Sequence, residues 1–180
     1  MERASVPGAV PAESPERRLE RWMSQYGNAV LHTGFVCLSD VQLAEDAMQD
    51  TFVKAWRAMG AFEKRTGFSE RAWLMRIAIN TCRDYRRGMW FQRVDLPGEM
   101  EKLPPAMISV SPREREIFLD VLSMPEKYRQ MILFRYYENM TLREMADILG
   151  LSISSVHHRL KKAEALMRLD FEGRDIIEAQ

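Results

Sequence analysis

The chain reads as an all-α protein, built as two small helical domains joined by an extended linker. Three observations carry that reading. Apolar residues recur at three- and four-residue steps in every long segment, and no stretch of strand alternation survives inspection. Helix-start and helix-stop residues flank those segments at the right places. Between Val94 and Val110 the pattern lapses, with Pro97, Gly98, Pro104 and Pro105 and no sustained period, as expected of a linker.

The elements follow in order. Residues 1–13 form a loose tail without an apolar h-region. Ser14-Pro15-Glu16 supplies an N-cap, a proline at the first helical position and an acid at the positive end of the dipole. Leu19, Trp22, Met23, Tyr26, Val30 and Leu31 then line one helical stripe. Ser39-Asp40 restarts the chain into a helix whose inner side is Leu43, Ala44, Ala47, Met48, Thr51, Ala55 and Met59, and Gly60 is expected to end it. From Ser69 a third helix carries two unlike stripes. Leu74, Ile77, Ala78, Thr81 and Tyr85 are core-like, whereas Trp73, Arg76, Asn80, Arg83 and Arg87 share the other face. After the 94–110 linker, Ser111-Pro112 and Pro125 start two further helices. Thr141-Leu-Arg-Glu144 is a capping box, whose helix stops at Gly150, and Ser152 caps a last helix to about Leu169, followed by an acidic tail over 170–180. Helix, glycine turn, helix, with Ala146 at the crossing, is the helix-turn-helix pattern.

Charge is distributed unevenly over the 180 residues. The net charge is zero, yet residues 64–93 carry eight basic and two acidic side chains, while the remaining segments are each mildly acidic. The neutral average therefore conceals one basic patch. Cys37 and Cys82 form no metal-binding or disulfide spacing, which argues for reduced thiols in a cytoplasmic protein. No run reaches the length of a membrane span. No phosphate-binding glycine loop, Ser/His/Asp arrangement or metal cluster is present, so the expectation is a non-enzyme without cofactor or metal.

Two constellations remain. Trp73, Arg76, Asn80, Arg83 and Arg87 put an aromatic plane, an amide and guanidiniums on one helix face, equipment suited to phosphates and unstacked bases. Asn80, with an arginine one turn to either side, is placed to read a base edge; the alternative is a solvated basic face with Trp73 tucked toward the core. In the helix-turn-helix, the last helix enters a major groove N-terminus first, with Ser154, Ser155, His158 and Arg159 at bases or phosphates and Lys161 and Lys162 on the backbone. Asp46, Gln49 and Asp50, flanked by Phe52 and Trp56, form either a wet helix surface or a protein-docking surface.

Glu45–Arg57, Phe68–Asn80 and Asp84–Arg87 resemble region 2 of the bacterial extracytoplasmic-function (group IV) sigma factors. Met124–Arg129, Arg135–Ser152 and Val156–Ala163 resemble region 4. The resemblance implies region 2 over 14–93, region 4 over 111–169 and a protein that binds core RNA polymerase and directs it to promoter DNA. Asp46, Gln49, Asp50, Phe52 and Trp56 would dock on the β′ clamp helices. Phe62, Lys64, Arg65, Phe68, Trp73, Arg76, Asn80, Arg83, Arg86 and Arg87 would capture the −10 element as a melted strand, with a flipped base between the 61–68 loop and the third helix. Thr141, Ser154, Ser155, His157, His158, Arg159, Lys161 and Lys162 would serve the −35 duplex, while region 4 clasps the β flap. An anti-sigma factor is implied as a further partner. Where family recognition helices usually carry a Gly-Thr-Val start, this chain has Ser154-Ser155-Val156, which leaves its preferred −35 sequence open. A stand-alone helix-turn-helix regulator and a polymerase-binding adaptor are the two alternatives.

Overall fold

The computed structural model describes the backbone of residues 13–63, 69–88, 102 and 112–178. Helices α1 (Pro15–Leu38), α2 (Val41–Glu63) and α3 (Glu70–Gly88) come first. They are followed by α4 (Pro112–Ser123), α5 (Glu126–Ile132), a π-helical turn (Leu133–Tyr137), α6 (Leu142–Leu149) and α7 (Ile153–Glu178). Among the described residues every regular element is helical. The 1–12 tail and, apart from Lys102, the 94–110 linker lie outside them.

Capping residues place most of the boundaries. Ser14 Oγ accepts from the Arg17 amide at 3.3 Å, Asp40 Oδ1 from Leu43 at 2.9 Å and Ser69 Oγ from Ala72 at 3.1 Å. Each satisfies a helix N–H that would otherwise lack a partner. Between α1 and α2, Ser39 turns the chain at φ 58 and donates its own amide to Phe35 O. Thr141 and Glu144 form the reciprocal capping box, and Gly150 at φ 68 makes the left-handed C-cap of α6.

Four expectations need correction. Gly60 does not end α2. It is exposed and outside the positive-φ region, and the helix continues to Glu63. Phe62 supplies the reason, because its ring packs on Trp73 at 4.9 Å and edge-on to Trp22 at 5.9 Å, which rewards a further helical turn. Met23 is 51% exposed rather than inward. The segment after Pro125 is not one plain helix. Glu138 donates to Leu133 O and Met140 to Phe134 O, opening a π turn that buries Phe134 and turns Tyr136 and Tyr137 outward. Finally, α7 does not stop near Leu169 but runs to Glu178, since the segment contains helix formers and no proline.

Helices α1–α3 form a three-helix bundle and α4–α7 a second group, and the two groups pack against each other around one continuous core. Consequently the last quarter of α1, from Thr33 to Leu38, is buried on every side. In α3, Met75, Ile79 and Cys82 are as deeply buried as Leu74 and Ala78. Phe35 of α1 stacks on Phe118 of α4 with centroids 6.4 Å apart. Each fully buried side chain of this size contributes about 1.5–3 kcal/mol of transfer free energy. Lys54 ties α2 to α3 through Thr81 and Asp84, both at 3.1 Å.

Helices α1 and α2 cross tightly at Gly34, where an added Cβ would meet Ala44 Cα and O at 3.1 Å. Gly34→Ala should therefore lower the urea midpoint, at a cost of about 1–3 kcal/mol from overpacking. Gly60→Ala, with nothing within 4 Å of the new methyl group, should instead raise it by about 0.4–1 kcal/mol. Equal shifts in the two variants would mean that the α1–α2 crossing is looser than described.

Candidate nucleic-acid interface

The solvent edge of α3 carries Arg76, half-exposed, and Asn80, Arg83 and Arg87, all exposed. Arg83 links them by donating through Nη1 to Asn80 Oδ1 at 3.2 Å. This is an exposed amide whose oxygen is committed to a guanidinium and whose N–H groups remain donors. Trp73, expected on the same stripe, is buried between Trp22, 5.5 Å away, and Phe62. Trp73 and Phe62 thus hold the end of α2 against α3 and the start of the 61–68 segment. Lys64, Arg65 and Phe68 lie outside the described residues.

The arginines of α3 are not idle. Arg71 pairs with the carboxylate and backbone carbonyl of Glu138 from the turn after the π segment. Arg83 Nη2 donates to Leu149 O at the C-terminus of α6, 3.3 Å away, where the helix dipole favours a cation. Arg86 pairs with Glu126 at the start of α5. Three basic side chains of α3 are thus engaged by the α4–α7 group, and two of them, Arg83 and Arg86, belong to the set expected at a nucleic-acid backbone. His32 of α1 lies in the same junction: burial pushes its pKa below the ordinary value, opposed by the Glu138 charge.

The second candidate surface is α6–α7. Val156, Leu160 and Ala163 face inward, leaving Ser154, Ser155, His157, His158, Lys161 and Lys162 exposed and Arg159 half-buried. Ser152 caps α7 by accepting from the Ser155 amide at 3.2 Å, so the first-turn N–H groups point toward any phosphate that approaches. Its hydroxyl also bonds those of Ser154 and Ser155 at 3.0 and 2.8 Å. His157 and His158 diverge by about 100°. Lys161 pairs with Glu164 at 3.3 Å, and Thr141 is committed to its capping box though exposed.

On the far side of the first bundle, α1 and α2 leave an apolar groove of about 500 Å³. Phe52 and Trp56 line it, together with Leu19, Met23 and Met48, which the helical pattern assigned to the core stripes, and with Val53. Gln49, Glu16 and Glu20 form its polar rim. Asp46 and Asp50, expected on the same surface, are not among the lining residues. Asp50 instead accepts from the Tyr85 hydroxyl at 2.8 Å. Burial, followed by the Asp50 bond, holds that phenol up at a pKa of about 12. A signal for the groove existed in the sequence: Val53 and Trp56 are apolar residues that fall off the core stripe of α2.

Comparison with known proteins places this geometry. Residues 19–91 match the family model described as Sigma-70 region 2, and residues 121–167 match Sigma-70 region 4. The ECF RNA polymerase sigma factor SigL of Mycobacterium tuberculosis is 30% identical over 94% of this chain and 96% of its own length. The chain belongs to the ECF sigma factors of the sigma-70 family. A probable RNA polymerase sigma factor, RfaY of Xanthomonas campestris, is also 30% identical, over 78% of this chain, but the match spans only 37% of that longer protein. In structure, the sigma factor RpoE of Bartonella quintana, solved with the anti-sigma factor NepR, shares the fold at a TM-score of 0.70 and 19% identity, covering 87% of this chain and 98% of that one. Promoter-directed transcription initiation by RNA polymerase is the function that membership carries. Sigma factors are not enzymes in the catalytic sense. No helix among the described residues is long and apolar enough to cross a membrane.

In this sigma factor the junction between the regions rests on Glu138, whose side chain is 8% exposed and pairs with Arg71. Arg71→Ala should cost about 1–3 kcal/mol by stranding that carboxylate. Arg71→Ala combined with Glu138→Ala should recover part of the loss, giving a coupling of about 0.5–3 kcal/mol in a denaturation cycle. Simple additivity would show that the pair does not hold the regions together.

Proposed function

We propose that this sigma factor docks on core RNA polymerase through the α1–α2 groove, captures the melted −10 strand along α3 and reads the −35 duplex with α7. The observation that carries the reading is the Asn80–Arg83 pair on the exposed edge of α3. An amide held by a neighbouring guanidinium presents fixed donors toward a base edge, which is accessible only when the base is unstacked. Arg76, Arg83, Arg86 and Arg87, with Lys64, Arg65 and Phe68 from the adjoining segment, supply phosphate and strand contacts.

At the other module, Ser154, Ser155, His158 and Arg159 are the groove-facing set. His157, Lys161, Lys162 and Thr141 serve the flanking backbone, where cations give affinity without sequence information. Phe52, Trp56 and the apolar residues beside them fit a helical partner surface such as the β′ clamp helices, with Gln49 at the rim and Asp46 and Asp50 on the adjacent face. The region 4 helices suit the β flap. The protein contributes binding and positioning with no chemistry of its own, and it acts in the cytoplasm, where its polymerase is. An anti-sigma factor is the natural second partner, as with the NepR complex of the Bartonella quintana relative. Because Arg83 and Arg86 are engaged by region 4 in this structure, strand capture requires region 4 to swing away from α3.

The test is transcription from genomic promoter fragments with purified core polymerase, with and without the protein. Promoter-specific initiation is expected only in its presence. Asn80→Ala should reduce promoter opening, read by permanganate reactivity, about ten-fold or more while leaving affinity for core polymerase within two-fold, roughly the 1–3 kcal/mol carried by one base contact. Equal losses in opening and core binding would contradict the base-reading role, and absence of core binding would contradict the sigma reading itself.

A further inference from the structure

The core that joins the two regions contains a feature with no part in promoter recognition. Cys37 of α1 and Cys82 of α3 are 1% and 2% exposed, and their thiols are in hydrogen-bond contact with each other. Two thiols side by side would be unremarkable among leucines, but this pair lies under polar groups from region 4. Gln130 Nε2 donates to Cys37 Sγ at 3.4 Å. Arg129, most of it buried, donates to Ser39 Oγ and to Leu122 O, each at 2.9 Å, and its Nε has no acceptor. Among the described residues no carboxylate pairs with Arg129. This largely buried guanidinium lies near enough to Cys37 for the two groups to interact electrostatically. The hydrogen bond from Cys82 draws the Cys37 thiol below its ordinary pKa, helped by Gln130 and by the charges of Arg129 and Arg86 against the effect of burial. Sharing that proton pushes Cys82 up in turn.

We propose that Cys37 and Cys82 are a dithiol oxidation site for hydroperoxides, and that converting them to a disulfide loosens the docking of region 4 on region 2. Cys37 is the attacking sulfur. Its thiolate displaces one oxygen of the peroxide, forming a sulfenic acid and releasing hydroxide, which takes up a proton to become water. The Cys82 sulfur then attacks the sulfenic sulfur, its proton leaves with the displaced hydroxyl as a second water, and the sulfur–sulfur bond closes. Overall, two thiols and one hydrogen peroxide give one disulfide and two waters. The disulfide sulfur is a poorer acceptor, so the hydrogen bond from Gln130 weakens beside the buried guanidinium of Arg129. Both belong to α5, and both reach across to the α1–α3 pair. Oxidation therefore weakens the contact that keeps region 4 against α3. Because Gln130 and Arg129 cover the sulfurs, peroxide reaches them only as α5 lifts.

The experiment uses the purified, reduced, full-length chain and hydrogen peroxide alone, so its outcome does not depend on the polymerase-binding reading. After peroxide treatment, free thiols are alkylated in denaturant and the protein is analysed by mass spectrometry. The expected product is a monomer lacking two hydrogens, with a linked peptide pair containing Cys37 and Cys82. In Cys82→Ala, dimedone should label Cys37; in Cys37→Ala, Cys82 should remain unlabelled. Gln130→Ala, which keeps both thiols, should oxidise several-fold faster than the parent, and the oxidised parent should show a larger radius of gyration by small-angle scattering. Retention of two free thiols under peroxide that oxidises the urea-unfolded chain would overturn the proposal, as would disulfides formed only between chains. An unchanged radius after complete oxidation would overturn the coupling to docking, and equal rates in Gln130→Ala and parent would overturn the role of α5 as the cover.

Discussion

Helix α3 is packed along two lines at once, and most of the molecule is arranged by that fact. One line, through Leu74, Ala78 and Thr81, faces α1 and α2. Another, through Met75, Ile79 and Cys82, is equally buried, and α6 of the second group packs on the same helix. Only a narrow edge is left for solvent, and on it the sequence concentrates its positive charge. Burial of two faces fixes the rotation of α3, which puts Asn80 and Arg83 on its exposed edge. The hydrophobic effect supplies the energy of this arrangement and is not directional. Directionality comes from the polar ties at its margins, Lys54 to Asp84 on one side and Arg71, Arg83 and Arg86 to region 4 on the other.

Those polar ties also connect fold to function. An arginine bound to Glu138, to Glu126 or to the C-terminal carbonyl of α6 is not available to a phosphate. Under the proposed function, the junction and the melted strand therefore compete for Arg83 and Arg86. These ties are part-buried, so a contact that replaces them has to satisfy the carboxylates they leave behind. Apolar burial around Phe35 and Phe118 gives the closed form its stability, and the arginines set which ligand can displace it.

The sequence made much of this legible. Caps at Ser14, Asp40, Ser69 and Thr141 fixed helix starts because each depends on one local hydrogen bond. The helix-turn-helix was readable for the same reason, with Gly150 meeting a backbone need that few residues meet. What was not legible depended on distant partners. Gly60 looked like a stop until Phe62 found Trp22 and Trp73. Trp73 shared a helical stripe with Arg76 and Asn80 but was drawn inside by the same cluster. Asp46 and Asp50 lay beside Phe52 in sequence, yet Tyr85 claimed Asp50. The docking of region 4 left a trace in the unbroken run Thr33–Leu38, since a helix segment apolar on all sides has to be covered on all sides. Sequence spacing says that such a cover exists without saying which helix provides it.

The central claim is that α3 cannot be covered by region 4 and hold promoter DNA at the same time. Single-molecule energy transfer between labels at two exposed sites, Arg57 on α2 and His157 on α7, tests it directly. The account predicts one compact, high-transfer population for the free protein. A distinct low-transfer population should appear on adding core polymerase and promoter DNA. A free protein already spread over low-transfer states, or a promoter complex that keeps the compact value, would contradict it.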